Sequence, residues 1–179
     1  MRKFLIFSSA ILLVTAAALV VRAQQDKSKR PSPPASAKCD LPGGKSITID
    51  YSSPRAKGRK IFGGLVPYGE VWRAGANEAT TFVTTADLMV GGTHVPSGSY
   101  TLFTIPDKDK WTLIISKKTG EWGIPYPGEK DDLVRVEMKA GSTPGHVENF
   151  TIAFDKETKG CTLRMEWENT KATVAITAM

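Results

Sequence analysis

The stretch that decides the fold is YTLFTIPDKDKWTLIIS, residues 100–116. Tyr100 to Ile105 carries β-favouring side chains on both faces, which is typical of a central strand. The polar segment Pro106 to Lys110 predicts a turn. Trp111 to Ser116 then alternates apolar and polar residues, although Ile114 adds an apolar group on the second face. The stretch therefore predicts two neighbouring antiparallel strands.

The same two-residue period continues on both sides of this hairpin. It is visible in residues 47–51, 80–85, 87–90, 134–138, 150–154, 161–167 and 172–176. A further short strand is expected at Glu70 to Arg73, and Gly91-Gly92 and Glu168 to Thr170 predict turns. Since no segment keeps a helical period over three turns, the sequence predicts an all-β, single-domain antiparallel β-sandwich or jelly-roll-like fold. A partly closed β-barrel is the alternative.

The N-terminus has the pattern of an export signal. Arg2 and Lys3 precede an uncharged, apolar run from Phe4 to Val21. We predict that residues 1–23 are a signal peptide, cleaved before Gln24, and that the protein is periplasmic or secreted. An uncleaved membrane anchor is the alternative, because the run is just long enough to span a bilayer. Membrane contact is expected only through this segment.

Charge and composition divide the rest of the chain in two. Residues 24–38, QQDKSKRPSPPASAK, predict a disordered linker, because Pro, Ser and Lys bury little apolar surface. Residues 39–179 then form the single β domain. The net charge of +6 comes from residues 1–38, and the charges of the β domain balance. A nucleic-acid-binding domain carries its own basic excess, so we expect no nucleic-acid partner.

The chain contains two cysteines, Cys39 and Cys161. An even number of cysteines in an exported protein favours a disulfide. Cys161 shares the phase of Leu163 and Trp167, which places it on the core side of its strand. We predict a Cys39–Cys161 bridge that ties the start of the domain to its penultimate strand. Two unrelated thiols are the alternative.

Sequence motifs for metal or nucleotide chemistry do not occur. The two histidines, His94 and His146, lie beside turn residues, and the sequence has no HExxH, HxH or CxxC spacing. It also has no GxSxG, P-loop or GxGxxG motif. We therefore expect neither a bound metal nor a cofactor.

Residues 53–85 interrupt the alternation and form the candidate binding surface. Polar residues crowd here among glycines and aromatics, as in a loop that carries a site on a rigid scaffold. The ligand-binding candidates are Arg59, Lys60, Tyr68, Trp72, Arg73, Asn77 and Glu78, joined by Trp122 from a later loop. Arginine presents a planar fork to carboxylate or phosphate. We expect an acidic sugar, another glycan or a further anionic small molecule as the ligand.

Arg73, Asn77 and Glu78 have two interpretations. A turn at Gly75-Ala76 would bring the three side chains together around a ligand. In the alternative, Arg73 pairs with Glu78 across the turn and Asn77 adopts a left-handed conformation. The trio then only braces the loop.

Three classes of function follow from this stretch. A binding module is the favoured class. A carbohydrate or cell-wall hydrolase would use Glu78 with Asp50 or Asp87 as acid and base, and the separation of the two carboxylates would decide it. A purely structural module, with polar side chains that brace a long loop, is the third class.

Several long motifs carry a family resemblance. SPRAKGRKIFGGLVPYGEVWRAGANEATTF (53–82), VPSGSYTLFTIP (95–106), Glu121-Trp-Gly and WENTKATVAI (167–176) resemble the bacterial family catalogued as domain of unknown function 2911. The resemblance covers about residues 45–177 and implies an exported envelope protein. It transfers no catalytic residue. Ala74 departs from the expected pattern, in which a Thr follows Trp-Arg.

Overall fold

The computed structural model describes residues 26–179, and the predicted signal peptide lies outside them. The strands are β1 (Pro34–Asp40), β2 (Ser46–Ser52), β3 (Thr80–Thr84), β4 (Leu88–Val90), β5 (Thr93–Val95), β6 (Gly98–Ile105), β7 (Lys110–Ser116), β8 (Asp132–Glu157) and β9 (Gly160–Ala178). Single 3-10 turns lie at Lys27–Lys29, Pro42–Gly44 and Glu129–Asp131. Within residues 26–179, no helix has the length and apolar character needed to cross a membrane. The predicted all-β class is confirmed.

All of these strands belong to one antiparallel sheet, in the order β1-β2-β3-β6-β7-β8-β9-β4-β5. The β6–β7 hairpin predicted from residues 100–116 lies at its centre, with Leu102 opposite Ile115. The Gly91-Gly92 turn joins β4 to β5 as predicted. The two outermost strands, β1 and β5, do not pair with each other. The sheet is therefore open, and the alternative of a partly closed barrel is wrong.

The long strands β8 and β9 differ from the sequence prediction, which gave two shorter strands in each. Their mutual register shifts between Ser142 and Thr151, and Glu168 has a φ of 55°. Such irregularities let a strand bend and continue instead of ending. The turn expected at Glu168 to Thr170 is therefore wrong. Those turn-forming residues occupy a bend within β9.

The distal half of the β8–β9 hairpin, residues 150–167, packs over β1 and β2, which gives the fold its sandwich-like second layer. The ring centroids of Tyr51 and Phe150 lie 5.7 Å apart across this contact. The predicted Cys39–Cys161 disulfide is confirmed, with the two Cα atoms 6.5 Å apart. Buried side chains from both layers, among them Ile49, fill the space between them.

Phe103 and Ile114 are buried on the opposite face of the central hairpin. The loop between β7 and β8 covers them, with the ring of Tyr126 5.1 Å from that of Phe103. This second apolar layer explains why the sequence of β6 and β7 is apolar on both faces.

The predicted disordered linker is wrong over residues 34–38, which lie in β1. Ala35, Ala37 and Cys39 face the interior at a two-residue spacing, and Ala37 pairs with Ile49 of β2. The composition of residues 24–38 as a whole is polar, and it does not reveal that a few small side chains point inward at alternate positions. The backbone ladder with β2 and the disulfide offset the entropy of ordering the segment. The ordered domain therefore begins before Cys39.

Candidate functional site

Residues 53–79 connect β2 to β3 as a long loop with isolated β-bridges. The strand predicted at Glu70 to Arg73 is wrong, because the structure contains only one bridge there. In that bridge Trp72 and Thr104 exchange backbone hydrogen bonds of 2.7 Å. Ala74, with a φ of 50°, then takes the chain out of the extended conformation. The loop lies beside the end of β6 without joining the sheet as a strand.

Trp72 is half-buried and packs against the core of the molecule. Its ring stacks on Trp167, with 5.9 Å between centroids and 18° between planes, and packs edge-on against Phe150 at 4.9 Å. The ring centroid of Phe62, in the same loop, lies 6.2 Å from that of Trp72. These aromatic contacts anchor the loop to β8 and β9 through apolar burial. Trp72 is thus a structural anchor of the loop, and only part of its ring remains exposed.

Arg73 contacts Trp122 in the loop between β7 and β8. Its Cζ lies 5.8 Å from the centroid of the Trp122 ring, which is a cation–π distance, and its Nη1 donates to the Trp122 carbonyl oxygen at 3.4 Å. Burial lowers the pKa of Arg73. The Arg73–Glu78 pair of the bracing alternative does not form, because Glu78 pairs with Arg30 and Lys27. Trp122 remains 54% exposed.

Glu78 and Asn77 bind the segment that precedes β1. Arg30 Nη1 donates to both carboxylate oxygens of Glu78, at 2.9 and 3.1 Å, and Lys27 Nζ lies 3.1 Å from Oε1. Asn77 Nδ2 donates to the Ser32 carbonyl oxygen at 3.0 Å. The φ of Asn77 is 56°, the left-handed conformation that the bracing interpretation predicts. The trio with Arg73 does not converge on a common ligand position.

The pKa of Glu78 is lowered to about 2. Its own backbone N–H contributes most, and Arg30 and Lys27 add to this effect, while burial opposes it. A carboxyl group with this pKa is ionised at neutral pH and has no proton to donate. Asp50 lines the same cavity of about 200 Å³ as Glu78. Asp87 lies beyond the opposite end of β3, so it does not pair with Glu78 as acid and base.

A basic cleft of about 360 Å³ lies beside this contact. Its lining consists of Arg55, Lys57 and Arg59 from the loop and Pro31 and Ser32 from the segment before β1. Three of these five residues are cationic, and none carries a carboxylate. We call this feature the basic cleft.

The arginines of the basic cleft are held by the loop itself. Arg59 Nε donates to the Ala56 carbonyl oxygen at 3.0 Å, and Arg59 Nη2 donates to the Arg55 carbonyl oxygen at 2.6 Å. Arg55 Nη1 donates to Ser53 Oγ at 2.7 Å. Across residues 26–179, Lys57 Nζ has neither an ion-pair nor a hydrogen-bond partner. The cleft thus combines two positioned guanidinium groups with one ammonium group that is open to a ligand.

Sequence reasoning identified only part of this cleft. It named Arg59 and Lys60, but the structure places Arg55, Lys57 and Arg59 in the lining and leaves Lys60 exposed outside it. The three cations converge through a tight turn, in which the Arg59 backbone N–H donates to the Ala56 carbonyl oxygen at 3.1 Å and Lys57 and Gly58 have φ values of 50° and 69°. The missed signal is therefore Lys57-Gly58 as a turn inside a cationic run. Tyr68 also lies outside the lining, where its ring covers Gly63.

The part of the chain that the structure describes contains no group of three or more His, Cys, Asp or Glu side chains placed to hold a metal ion. A larger cavity of about 630 Å³ lies at the opposite end of the sheet. Lys45 and Lys159 line it together with Asp87, so its charge is mixed. The lining of the basic cleft carries charges of one sign, and the nearby Glu148 carboxylate accepts the Lys57 backbone N–H at 2.9 Å.

The family profile described as protein of unknown function (DUF2911) matches residues 32–176. The match begins earlier than the expected residue 45 and includes all of β1. No significant match to a curated protein or to a solved structure was found. Because the profile matches most of the chain, the protein belongs to the family described as protein of unknown function (DUF2911).

Proposed function

We propose that this protein is exported and binds an anionic small molecule, such as an acidic sugar, in the basic cleft. The observation that carries this proposal is the convergence of Arg55, Lys57 and Arg59 on one cavity without an acidic lining residue. The charges of residues 39–179 balance, so this local excess is not a consequence of composition. A cleft lined by one sign of charge concentrates ligands of the opposite sign.

The geometry of the basic cleft suits a carboxylate or a phosphate. Two of the three nitrogens of Arg59 already donate to backbone carbonyl groups, which fixes the orientation of its guanidinium plane. A positioned guanidinium group loses little rotamer entropy when it binds an anion. Lys57 would add a point charge that adjusts to the ligand. A volume of about 360 Å³ is within the range of small-ligand sites.

Export is supported by the Cys39–Cys161 disulfide, since disulfides persist mainly in oxidising compartments. The apolar run that follows Arg2 and Lys3 in the sequence also supports export. The intact mass of the protein recovered from its native host is the test. A mature chain that begins near Gln24 is expected, and a chain that retains Met1 would indicate an anchor.

The hydrolase alternative has less support. Glu78 is ionised and paired with two cations, so it is poorly suited to donate a proton to a leaving group. The bracing interpretation fits Asn77 and Glu78 better, because both bind the segment before β1. We therefore assign ligand binding to residues 55–59 of the loop and bracing to residues 77–78.

Titration calorimetry with a galacturonic acid trimer at low ionic strength tests the ligand proposal. The double variant Lys57→Gln/Arg59→Gln should bind the trimer at least about tenfold more weakly than the wild type, because charge-assisted hydrogen bonds are lost. A neutral galactose trimer should not bind measurably.

Lys60→Gln is the matched control, because it removes one positive charge from the same loop outside the lining of the cleft. Its affinity for the trimer should remain within about twofold of the wild type. A loss of binding free energy in Lys60→Gln that is about half of the loss in the double variant would show non-specific attraction to the loop, because the double variant removes twice as many charges. No binding of the trimer or of inorganic phosphate to the wild type would refute the proposal.

A further inference from the structure

The segment before β1 forms one wall of the basic cleft. We call residues 27–33 the strap. It begins with a single 3-10 turn at Lys27–Lys29 and continues through Pro31 and Pro33 into β1. Because proline fixes φ, the two prolines stiffen the strap and restrict how it can move. Pro31 and Ser32 line the basic cleft, so the position of the strap determines whether this wall is present.

The strap is attached by a small set of polar contacts. Arg30 and Lys27 bind the Glu78 carboxylate at 2.9 and 3.1 Å. The Ser32 carbonyl oxygen accepts from Asn77, and the Pro33 carbonyl oxygen accepts from the Ser53 backbone N–H at 2.9 Å. No strap residue belongs to the buried hydrophobic core. The strap is thus held mainly by charge and hydrogen bonds, and Ser32 and Pro33 are only half-buried.

Glu78 is the central point of this attachment. Its side chain is 42% exposed, and that of Arg30 is 22% exposed. Water can therefore compete with these ion pairs, and each contributes only modestly to closure. On the other side of the strap, Lys27 and Pro34 line the cavity that also contains Glu78. Release of the Glu78 contact would leave the strap held only by the hydrogen bonds to the Ser32 and Pro33 carbonyl oxygens.

We propose that the strap is a movable lid on the basic cleft, latched by Glu78, and that its docking completes the wall and so raises affinity for an anionic ligand. This inference rests on the proposed function. An anion in the cleft contacts the wall only when the strap is docked. By linkage, ligand binding must then favour the docked strap by the same factor by which docking favours the ligand.

Limited digestion with trypsin measures docking without any ligand. The strap contains two cleavable bonds, Lys27–Ser28 and Lys29–Arg30, and mass spectrometry identifies both products. Glu78→Gln keeps the size of the side chain but removes its charge, and cleavage should become about threefold to fivefold faster than in the wild type. Arg30→Gln breaks the same latch from the other side and should accelerate cleavage at Lys27 similarly.

Glu137→Gln is the matched control, because it breaks the exposed Lys110–Glu137 ion pair of 2.9 Å in another part of the sheet. It should leave strap cleavage unchanged. A thermal melt verifies that each variant is folded at the digestion temperature. Equal cleavage rates in the wild type, Glu78→Gln and Arg30→Gln would overturn the latch.

The galacturonic acid trimer measures the coupling between strap and cleft. Wild-type protein saturated with trimer should be cut about threefold more slowly than free protein, and Glu78→Gln should bind the trimer about threefold more weakly. If the wild type binds but Glu78→Gln binds equally well, the lid is overturned and the ligand site stands. If no anion binds the wild type, the proposed function and the coupling both fail, although faster cleavage of Glu78→Gln would still establish the latch.

Discussion

β1 and the strap are consecutive parts of one polar segment, but different forces hold them. All seven residues of β1 pair with β2, and the disulfide at Cys39 fixes its end to β9. The strap has no strand partner and is attached mainly through Glu78 and Asn77. The comparison shows that small inward side chains, a backbone ladder and a disulfide together include a polar segment in the sheet. A segment without them remains dependent on ion pairs and single hydrogen bonds.

The largest expected effect concerns the disulfide that holds β1. The double variant Cys39→Ala/Cys161→Ala should lose about 4 kcal/mol of unfolding free energy, because the bridge closes a loop with a sequence separation of 122 residues. Urea denaturation measures this loss. Wild-type protein with its disulfide reduced should unfold at a similar urea concentration. A double variant as stable as the oxidised wild type would contradict this role of the bridge.

Asn77 should have an intermediate effect, and two substitutions separate its contributions. Asn77→Ala removes the hydrogen bond to the Ser32 carbonyl and places alanine at a φ of 56°, which should cost about 2 kcal/mol. Asn77→Gly removes the same hydrogen bond but tolerates this φ, so it should cost about 1 kcal/mol or less. Equal losses in urea denaturation would show that backbone conformation has no part in the effect.

Acid should weaken the contact between Glu78 and the strap. The pKa of Glu78 is about 2 in the folded protein, against 4.5 for an unperturbed Glu. A carboxyl group whose pKa is depressed on folding stabilises above its unfolded pKa, and this stability is lost as pH falls from about 5 to about 2. Because both partners are partly exposed, we expect about 1 kcal/mol or less.

Urea denaturation at a series of pH values tests this expectation. Glu78→Gln should be less stable than the wild type at pH 7, and the two proteins should approach each other near pH 2. Glu137→Gln serves as a control for the loss of an exposed carboxylate. A difference between the wild type and Glu78→Gln that is constant from pH 7 to pH 2 would rule out the ionised carboxylate as its cause.

Ser32 should show the smallest effect. The structure assigns only its backbone carbonyl oxygen a hydrogen bond, from Asn77, and Ser32→Ala keeps that group. The free energy of unfolding should stay within about 0.5 kcal/mol of the wild type. A larger loss in urea denaturation would mean that the Ser32 hydroxyl group contributes to docking of the strap.

Most of the sheet could be predicted from sequence, because its signal is local. The alternation in residues 100–116 identified β6 and β7, and Gly91-Gly92 identified the turn between β4 and β5. The wrong predictions concern short stretches whose residues are compatible with two different structures. Glu168 to Thr170 is typical of a turn, but within a long paired strand the same residues form a bend. Whether such residues bend a strand or reverse the chain depends on the neighbouring strand. That strand is distant in sequence, so the residues around the stretch do not reveal it.

The candidate site was less predictable for a related reason. Trp72 and Trp122 have the same side chain, but Trp72 packs against Trp167 and Trp122 is exposed. Nothing in the residues next to either tryptophan distinguishes the two. Burial depends on which distant strand lies opposite. Polar–aromatic composition therefore identified a long loop outside the strands, but it did not show which of the loop's side chains face the solvent.

The sequence by itself determined the family and the all-β class, and it favoured the pairing of Cys39 with Cys161 that the structure confirms. These follow from long motifs, from the two-residue period and from a chain with only two cysteines. Only the tertiary structure decided which charges meet. Glu78 pairs with Arg30, 48 residues away, and not with Arg73, five residues away. Many pairs of oppositely charged residues in a sequence could form an ion pair. Only the fold determines which two charged groups lie within the few angstroms that an ion pair requires.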